Sequence, residues 1–177
     1  MRPGILLAAL LHIALIPATR AGDGLLKPGA RVADSTSMPC DSVPELNRLV
    51  VELAGQQLGT TVARGECWDL AALVLNRYEA DWDKQYRFGR KVNPAKECVY
   101  PGDIIQFEGV VVKYRIGNAT YTETMAHHTA MVYAVKSPGV FTLIHQNTGT
   151  SGRKVGLSDL DLKTIVKGKY IVYRPVR

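Results

Sequence analysis

The sequence has few cysteines, few aromatic residues and no long tract of a single charge or residue type. Three cysteines in 177 residues are too few for a small disulfide-dense scaffold. Hydrophobic residues make up 46% of the chain and charged residues 21%, so a disordered or fibrous protein is not expected. The length suits one domain with a hydrophobic core of its own.

The longest hydrophobic run lies at the N-terminus. Arg2 precedes a mostly apolar stretch from Ile5 to Ala18, and Ala21 then offers a small residue at a cleavage point. This pattern predicts a signal peptide over residues 1–21, and therefore a secreted or periplasmic protein. An uncleaved N-terminal anchor is the alternative. The run is short for a membrane span and no second one follows, so stable membrane insertion is not expected.

The charge of the chain argues against nucleic acid as a partner. The formal net charge is +6, and no basic stripe with interleaved aromatic residues carries it. Loss of Arg2 and Arg20 with the signal peptide would leave a mildly basic protein. Such a charge suits an anionic polymer such as a cell wall, and it implies no particular oligomeric state.

Helices are expected before strands. Residues 22–40 are rich in Gly, Ser, Pro and Ala and predict an extended leader, which is followed by one domain over residues 41–177. Helical spacing of apolar residues predicts one helix from about Ser42 towards Gly59 and a second from near Cys67 to about residue 80. Strand patterns follow at residues 103–107, 110–116, 129–135, 140–147 and 170–173. The fold class is therefore α+β, with N-terminal helices packed on an antiparallel sheet.

Three histidines remain outside the predicted signal peptide, and the strand pattern gathers them at one edge of the sheet. His127 and His128 begin one strand and His145 ends the next, so a hairpin would place them side by side. His145 alternates with Phe141 and Leu143, which favour burial. We expect this face to meet the helices, and we prefer His128 to His127 as the partner of His145.

Cys67 supplies a candidate nucleophile at the start of the second predicted helix. The positive end of the helix dipole favours a thiolate, and a nearby imidazole would favour it further. His145 could orient His128, as the third member of a catalytic triad does. Backbone amides at the helix start could stabilise the oxyanion of a tetrahedral intermediate.

Four segments occur in a recognisable order: Gly-Glu-Cys-Trp-Asp-Leu-Ala at residues 65–71, Pro-Gly-Asp-Ile-Ile-Gln-Phe at 101–107, His-Thr-Ala-Met-Val at 128–132, and Leu-Ile-His-Gln-Asn at 143–147. Together they resemble the CHAP amidases and NlpC-type cell-wall peptidases, which are papain-like cysteine hydrolases. The order of cysteine, Pro-Gly-Asp, histidine and polar residue is that of the family. His145 stands where CHAP members often carry glutamate, whereas NlpC-type members use histidine there.

This resemblance implies a papain-like fold and hydrolysis of an amide or peptide bond, with no cofactor. Cys67 would be the nucleophile, His128 the general base and acid, and His145 the orienting residue. Asn147 joins the same catalytic set, while Trp68 and the remaining histidine, His127, are candidates for substrate binding. Bacterial members usually cleave peptidoglycan, so peptidoglycan or a related peptide is the expected substrate.

Two other functions fit the same residues. The domain could be a catalytically inactive module of this fold that binds wall fragments or a protein. Alternatively, Cys67 and the histidines could hold zinc in a hydrolase, although the sequence has no Cys-x-x-Cys or His-Glu-x-x-His spacing and we expect no metal site. Cys40 and Cys98 could form a disulfide in an exported protein, which would leave Cys67 free.

Overall fold

A computed structural model describes residues 40–177, in which the helices precede the strands. The expected signal peptide and the expected leader, except for Cys40, lie outside the described residues. The elements are α1 (Glu45–Gly55), α2 (Cys67–Arg77), β1 (Arg90–Val92), β2 (Ile104–Ile116), β3 (Ala119–Ser137), β4 (Val140–His145), β5 (Gly156–Asp161), a 3-10 helix (Leu162–Thr164) and β6 (Ile165–Arg174).

The strands form one antiparallel sheet in the order β1-β6-β2-β3-β4-β5. The predicted α+β class, with helices before an antiparallel sheet, is confirmed. In the described part of the chain, no helix is both long and apolar enough to cross a membrane.

The longest strands differ from the sequence pattern. β2 and β3 pair continuously except at the bulge around Gly109, as far as a turn at Gly117 and Asn118. β6 stops pairing with β2 at Val112, so the outer part of this hairpin extends beyond the other strands. The predicted strand at 110–116 is the outer part of β2, whereas residues 119–126 of β3 were not predicted, because their mostly exposed side chains show no alternation.

Hydrophobic residues are buried on both faces of the sheet. Ile104, Met131 and Ile144 pack in one cluster with the apolar residues of α1 and α2. Ile105 and Leu143 belong to a second cluster on the opposite face, together with buried residues of β1, β3, β5 and β6. A buried side chain on this sheet therefore does not by itself face the helices.

The Pro-Gly-Asp turn fixes α1 and β6 to the start of β2. The buried Asp103 carboxylate accepts hydrogen bonds from Asn47 Nδ2 at 2.8 Å and from Arg174 Nε and Nη2 at 3.0 and 2.8 Å. Gly102 has φ +87°, and a Cβ atom there would lie 2.2 Å from the Asn47 carbonyl oxygen. Glycine is therefore required at this position, and the motif has a structural role.

Cys40 and Cys98 form a disulfide with a Cα–Cα distance of 5.5 Å. It ties the first described residue to the segment that precedes β2. Cys67 is the free cysteine of the described residues, as the sequence hypothesis required.

Candidate active site

The start of α2 is held by side chains on both sides of Cys67. Asp69 Oδ2 accepts hydrogen bonds from the backbone N–H groups of Arg64 and Glu66, both at 3.0 Å, which satisfies amides that precede the helix. Buried Gln146 also binds the preceding loop: it exchanges two 3.1 Å hydrogen bonds with the Val62 backbone and donates to the Glu66 carbonyl at 2.7 Å. Cys67 therefore sits on a rigid turn.

The Cys67 thiol is half buried, and its strongest polar neighbour is Thr129 on β3. Burial raises the pKa of Cys67 above its ordinary value, and the negative charge of Glu66 acts in the same direction. Hydrogen bonds from the Thr129 backbone and hydroxyl and from the Trp68 backbone lower this pKa, but by less. Burial thus opposes the thiolate that the helix start was expected to favour, because desolvation outweighs the hydrogen bonds to the sulfur.

His128 and His145 form a buried, hydrogen-bonded pair. His128 Nε2 lies 2.9 Å from His145 Nδ1, and His145 Nε2 lies 2.9 Å from the Ser158 hydroxyl. Burial lowers the pKa of His128 to about 4 and that of His145 to about 3, and each also feels a neighbouring histidine. Both rings are therefore neutral at pH 7.

The predicted orientation of this pair is wrong. His128 lies against the Phe107 ring, 6.4 Å between centroids, and Phe107 belongs to the cluster on the face away from the helices. The error arises because Phe141 and Leu143 are buried in that second cluster and not against α2. Thr129, next in the chain, is the residue whose side chain reaches the thiol. Within residues 40–177, no hydrogen bond joins Cys67 to an imidazole.

His127 lies on the other face of β3, in a separate polar cluster with Gln106 and Glu108. His127 Nδ1 is 2.9 Å from Glu108 Oε2, and Gln106 Nε2 donates to Glu108 Oε1 at 3.0 Å. Gln106 Oε1 in turn accepts the hydrogen bond of Thr129 at 2.6 Å. This cluster is thus linked through Thr129 to the thiol.

The sequence analysis did not single out Gln106 or Glu108 as site residues. Both follow the Pro-Gly-Asp turn on β2, and they alternate with the apolar Ile105 and Phe107. A polar residue at alternate positions of a buried strand is the signal that could have found them. Ser158 was missed as well, since β5 is largely polar and no strand was predicted there.

Trp68 and Tyr86 supply aromatic rings near Cys67 and the His127 cluster. The Trp68 indole N–H donates to the Gln85 carbonyl, and its ring packs on Trp82 with 5.3 Å between centroids. The Tyr86 and His127 rings pack edge to face, with 4.2 Å between their centroids. The loop that carries Gln85 and Tyr86 therefore connects the residue after Cys67 to the His127 cluster.

Asn147 contacts the start of α2 and not the histidine pair. Its Nδ2 donates to Glu66 Oε2 at 2.8 Å, and its backbone has φ +62°. A left-handed conformation is tolerated by asparagine better than by most residues. Asn147 thus follows the end of β4 and fixes the residue that precedes the thiol.

In the described part of the chain, no group of three or more His, Cys, Asp and Glu side chains is arranged to hold a metal ion. The three histidines are divided between the two faces of β3, with His127 on one face and the His128–His145 pair on the other. Cys67 contacts none of them through a hydrogen bond.

A family model describes this domain. The model of the AIM3/BBC1 cysteine proteinase-fold domain matches residues 45–177. The chain belongs to this family. The predicted papain-like cysteine proteinase fold is therefore confirmed for the domain that carries Cys67, His128 and His145.

Solved structures with a similar fold are distant in sequence. Ly7917 is 14% identical with a TM-score of 0.43, over 72% of this chain and 62% of that one. The structure of Ly7917 with the hydrolyzing product of MDP is 15% identical with a TM-score of 0.44, over 73% of this chain and 63% of that one. NlpC2 from Trichomonas vaginalis is 17% identical with a TM-score of 0.47, over 80% of this chain and 51% of that one. The chain thus spans less than two thirds of each. No curated protein sequence matches it.

Proposed function

We propose that this protein is an exported cysteine hydrolase that cleaves amide or peptide bonds, with Cys67 as nucleophile and His127 as general base. The observation that carries the proposal is the set of contacts on the helix side of the sheet: Thr129 hydrogen-bonds the thiol, and His127, two residues away on the same face of β3, has its Nδ1 2.9 Å from Glu108 Oε2. A thiol at a helix N-terminus, an imidazole on the same side and a carboxylate that orients the imidazole are suited to act as nucleophile, base and orienting group. The cysteine proteinase-fold family supports the same conclusion.

The resting thiol is uncharged in this mechanism, because burial raises the pKa of Cys67. As the sulfur attacks the carbonyl carbon, the thiol proton moves to His127 Nε2 and the carbonyl oxygen becomes negative. The Glu108 carboxylate, 2.9 Å from His127 Nδ1, stabilises the imidazolium that forms.

The remaining steps use the same groups in reverse. The tetrahedral intermediate collapses, the C–N bond breaks, and the leaving amine takes the proton from His127. Water then attacks the resulting thioester while His127 accepts its proton, and the departing sulfur takes that proton back as the acid is released, which restores the thiol. Backbone N–H groups at the start of α2, including that of Trp68 beside the sulfur, are suited to stabilise the oxyanion.

The substrate surface is formed by the residues around the His127 cluster. The rings of Trp68 and Tyr86 offer flat apolar area beside His127. Peptidoglycan or a related peptide is the proposed substrate, because the family resemblance of the motifs and the basic net charge both favour an anionic peptide polymer. The N-terminal pattern and the Cys40–Cys98 disulfide support export.

The proposal is tested by incubating the protein with purified peptidoglycan and analysing released fragments by mass spectrometry. Wild type should release fragments with new amine and carboxyl termini, whereas Cys67→Ala and His127→Gln should release none above background. Ser137→Ala, an exposed position at the end of β3, is the matched control and should be fully active. Equal release by wild type and Cys67→Ala would contradict the assignment.

A non-catalytic binding module is the second candidate, and one observation favours it. No hydrogen bond joins Cys67 to an imidazole in the described residues, and the thiol is protonated at rest. A module of this kind should co-sediment with insoluble peptidoglycan and release nothing from it. Co-sedimentation that is unchanged by Cys67→Ala, without any fragment, would favour this function over hydrolysis.

A further inference from the structure

Four polar side chains form a small patch where β2 and β3 pair. Gln106 is the cross-strand partner of Thr129. Glu108, two residues further along β2, is the partner of His127. Residues two apart on a strand share a face, so all four side chains lie on the same face of the sheet. This face is the one that meets α2, because Thr129 contacts the Cys67 thiol.

Gln106 is the buried member of the strand pair that carries the proposed base. It is 2% exposed, whereas the side chains of Glu108 and His127 are 32% and 43% exposed. Its neighbours in the chain, Ile105 and Phe107, are fully buried and apolar. Burying an amide costs free energy unless its nitrogen and oxygen are both hydrogen-bonded, whereas an apolar residue has no such cost. An amide at this position therefore indicates a role that an apolar side chain cannot perform.

The Gln106 amide connects both halves of the proposed site. Its Nε2 donates to Glu108 Oε1 at 3.0 Å, and its Oε1 accepts the hydrogen bond of the Thr129 hydroxyl at 2.6 Å. An ionised carboxylate only accepts hydrogen bonds, so Nε2 and not Oε1 must face Glu108. The other carboxylate oxygen, Glu108 Oε2, lies 2.9 Å from His127 Nδ1. The carboxylate thus bridges the amide and the imidazole.

The same amide nitrogen also lies against the imidazole. Gln106 Nε2 is 3.5 Å from His127 Nδ1 and 3.4 Å from His127 Nε2, so it contacts the ring as well as the carboxylate beside it. A shift of the Gln106 side chain would therefore disturb both the proposed base and its orienting group.

We propose that Gln106 is a positioning residue for the two halves of this site. Through Nε2 it fixes the Glu108 carboxylate against His127, and through Oε1 it fixes Thr129 against the thiol. This role in catalysis rests on the proposed function. The hydrogen bond between Gln106 and Glu108, however, belongs to the resting protein and is measured without any substrate.

The ionisation of Glu108 reports on this hydrogen bond. Burial raises the pKa of Glu108, but the hydrogen bonds from His127 and Gln106 and the charges of His127 and Lys169 together lower it below its ordinary value. Lys169 acts from β6, where it is the cross-strand partner of Glu108. Removal of the Gln106 amide should therefore raise the pKa of Glu108 while the two charges remain.

The first test is an NMR titration of the wild-type protein. The side-chain amide resonances of Gln106 should shift with the same pKa as the carboxyl carbon of Glu108, because the two groups are hydrogen-bonded. The amide of Gln56, exposed at the end of α1, is the control and should not follow this titration. A Gln106 amide that does not respond to Glu108 would overturn the proposal, whether or not the protein hydrolyses any substrate.

The second test replaces the amide by an apolar side chain of similar length. Gln106→Met should raise the pKa of Glu108, whereas Gln56→Met, the same replacement at an exposed position, should leave it unchanged. An unchanged pKa of Glu108 in folded Gln106→Met would overturn the proposal. Failure of this variant to fold would leave the wild-type titration to decide.

Where hydrolysis is observed, a double-mutant cycle separates positioning from a general loss of structure. Gln106→Met should lower kcat/KM roughly 10- to 100-fold, as expected for one hydrogen bond to a charged group, and should move the acid limb of the pH profile to higher pH. The same replacement in a Glu108→Gln background should have a much smaller effect, since its partner is already altered. Equal losses in both backgrounds would show that Gln106 does not act through Glu108 and would overturn the proposal.

Discussion

His128 Nε2 lies 2.9 Å from His145 Nδ1, on the face of the sheet that points away from both helices. On the helix side of the sheet, the thiol of Cys67 is hydrogen-bonded to Thr129, which follows His128 along β3. One strand thus presents consecutive residues to a nucleophile and to a histidine pair. The imidazole on the thiol's side of the sheet is that of His127, which contacts Glu108.

The alkylation rate of Cys67 should report a protonated resting thiol. Because burial raises its pKa above the usual 9.0, we expect the rate with iodoacetamide to rise about tenfold per pH unit from pH 6 through 9, in proportion to the thiolate. Thr129→Val removes a hydroxyl that lowers this pKa and should slow alkylation further at each pH. Thr124→Val, exposed on the same strand, is the control. A plateau at low pH would indicate a thiolate–imidazolium pair and contradict this account.

The fold should lose stability below pH 6.5. The folded-state pKa values of His128 and His145, about 4 and about 3, lie below the ordinary 6.5, so the unfolded chain binds protons that the folded chain does not. The free energy of unfolding should therefore fall as the pH drops from 6.5 towards 4, by up to about 1.4 kcal/mol per unit for each histidine. Urea unfolding at several pH values measures this.

Replacing one member of the pair should reduce that pH dependence. His128→Gln removes one titrating ring, so its slope between pH 4.5 and 6.5 should be about half that of wild type, whereas Ser137→Ala should keep the full slope. A wild-type protein that is equally stable at pH 4.5 and 7 would show that the imidazoles are not held neutral in the folded state.

Removing the Asp103 charge should destabilise the fold strongly. Asp103→Asn leaves Arg174, whose side chain is 12% exposed, without its carboxylate partner, and breaking such a pair costs about 3–5 kcal/mol. Asp159→Asn breaks an exposed pair with Lys136 and should cost at most about 1 kcal/mol. Chemical denaturation of both variants gives the comparison. Similar losses for the two would contradict a structural role for the Pro-Gly-Asp turn.

Loss of the disulfide should also destabilise the protein. Cys40 and Cys98 are 58 residues apart, so their bond restricts a long loop of the unfolded chain, and Cys40→Ser with Cys98→Ser should cost roughly 2–4 kcal/mol. Mass spectrometry of unreduced protein after denaturing alkylation should find a single label, on Cys67. A label on Cys40 or Cys98 instead would show a different pairing.

The sequence predicted correctly those features that depend on residues close together in the chain. Cys67 begins α2 as the apolar spacing predicts, because helix starts and amphipathic faces depend on neighbours within a few residues. The Pro-Gly-Asp motif was also recognised from the sequence, but the close approach of Gly102 to the Asn47 backbone could not be predicted. β5 and residues 119–126 of β3 were missed, since their polar and exposed residues show no alternation.

By itself, the sequence determined the order of helices and strands, the pairing partner preferred for His145 and the presence of a thiol at a helix start. Which side of the sheet each histidine occupies was decided only by the tertiary structure. Alternation tells which residues share a face, but both faces of this sheet are buried, so apolar neighbours could not show which face meets α2. The charge state of Cys67 was decided in the same way, because burial depends on residues from distant parts of the chain.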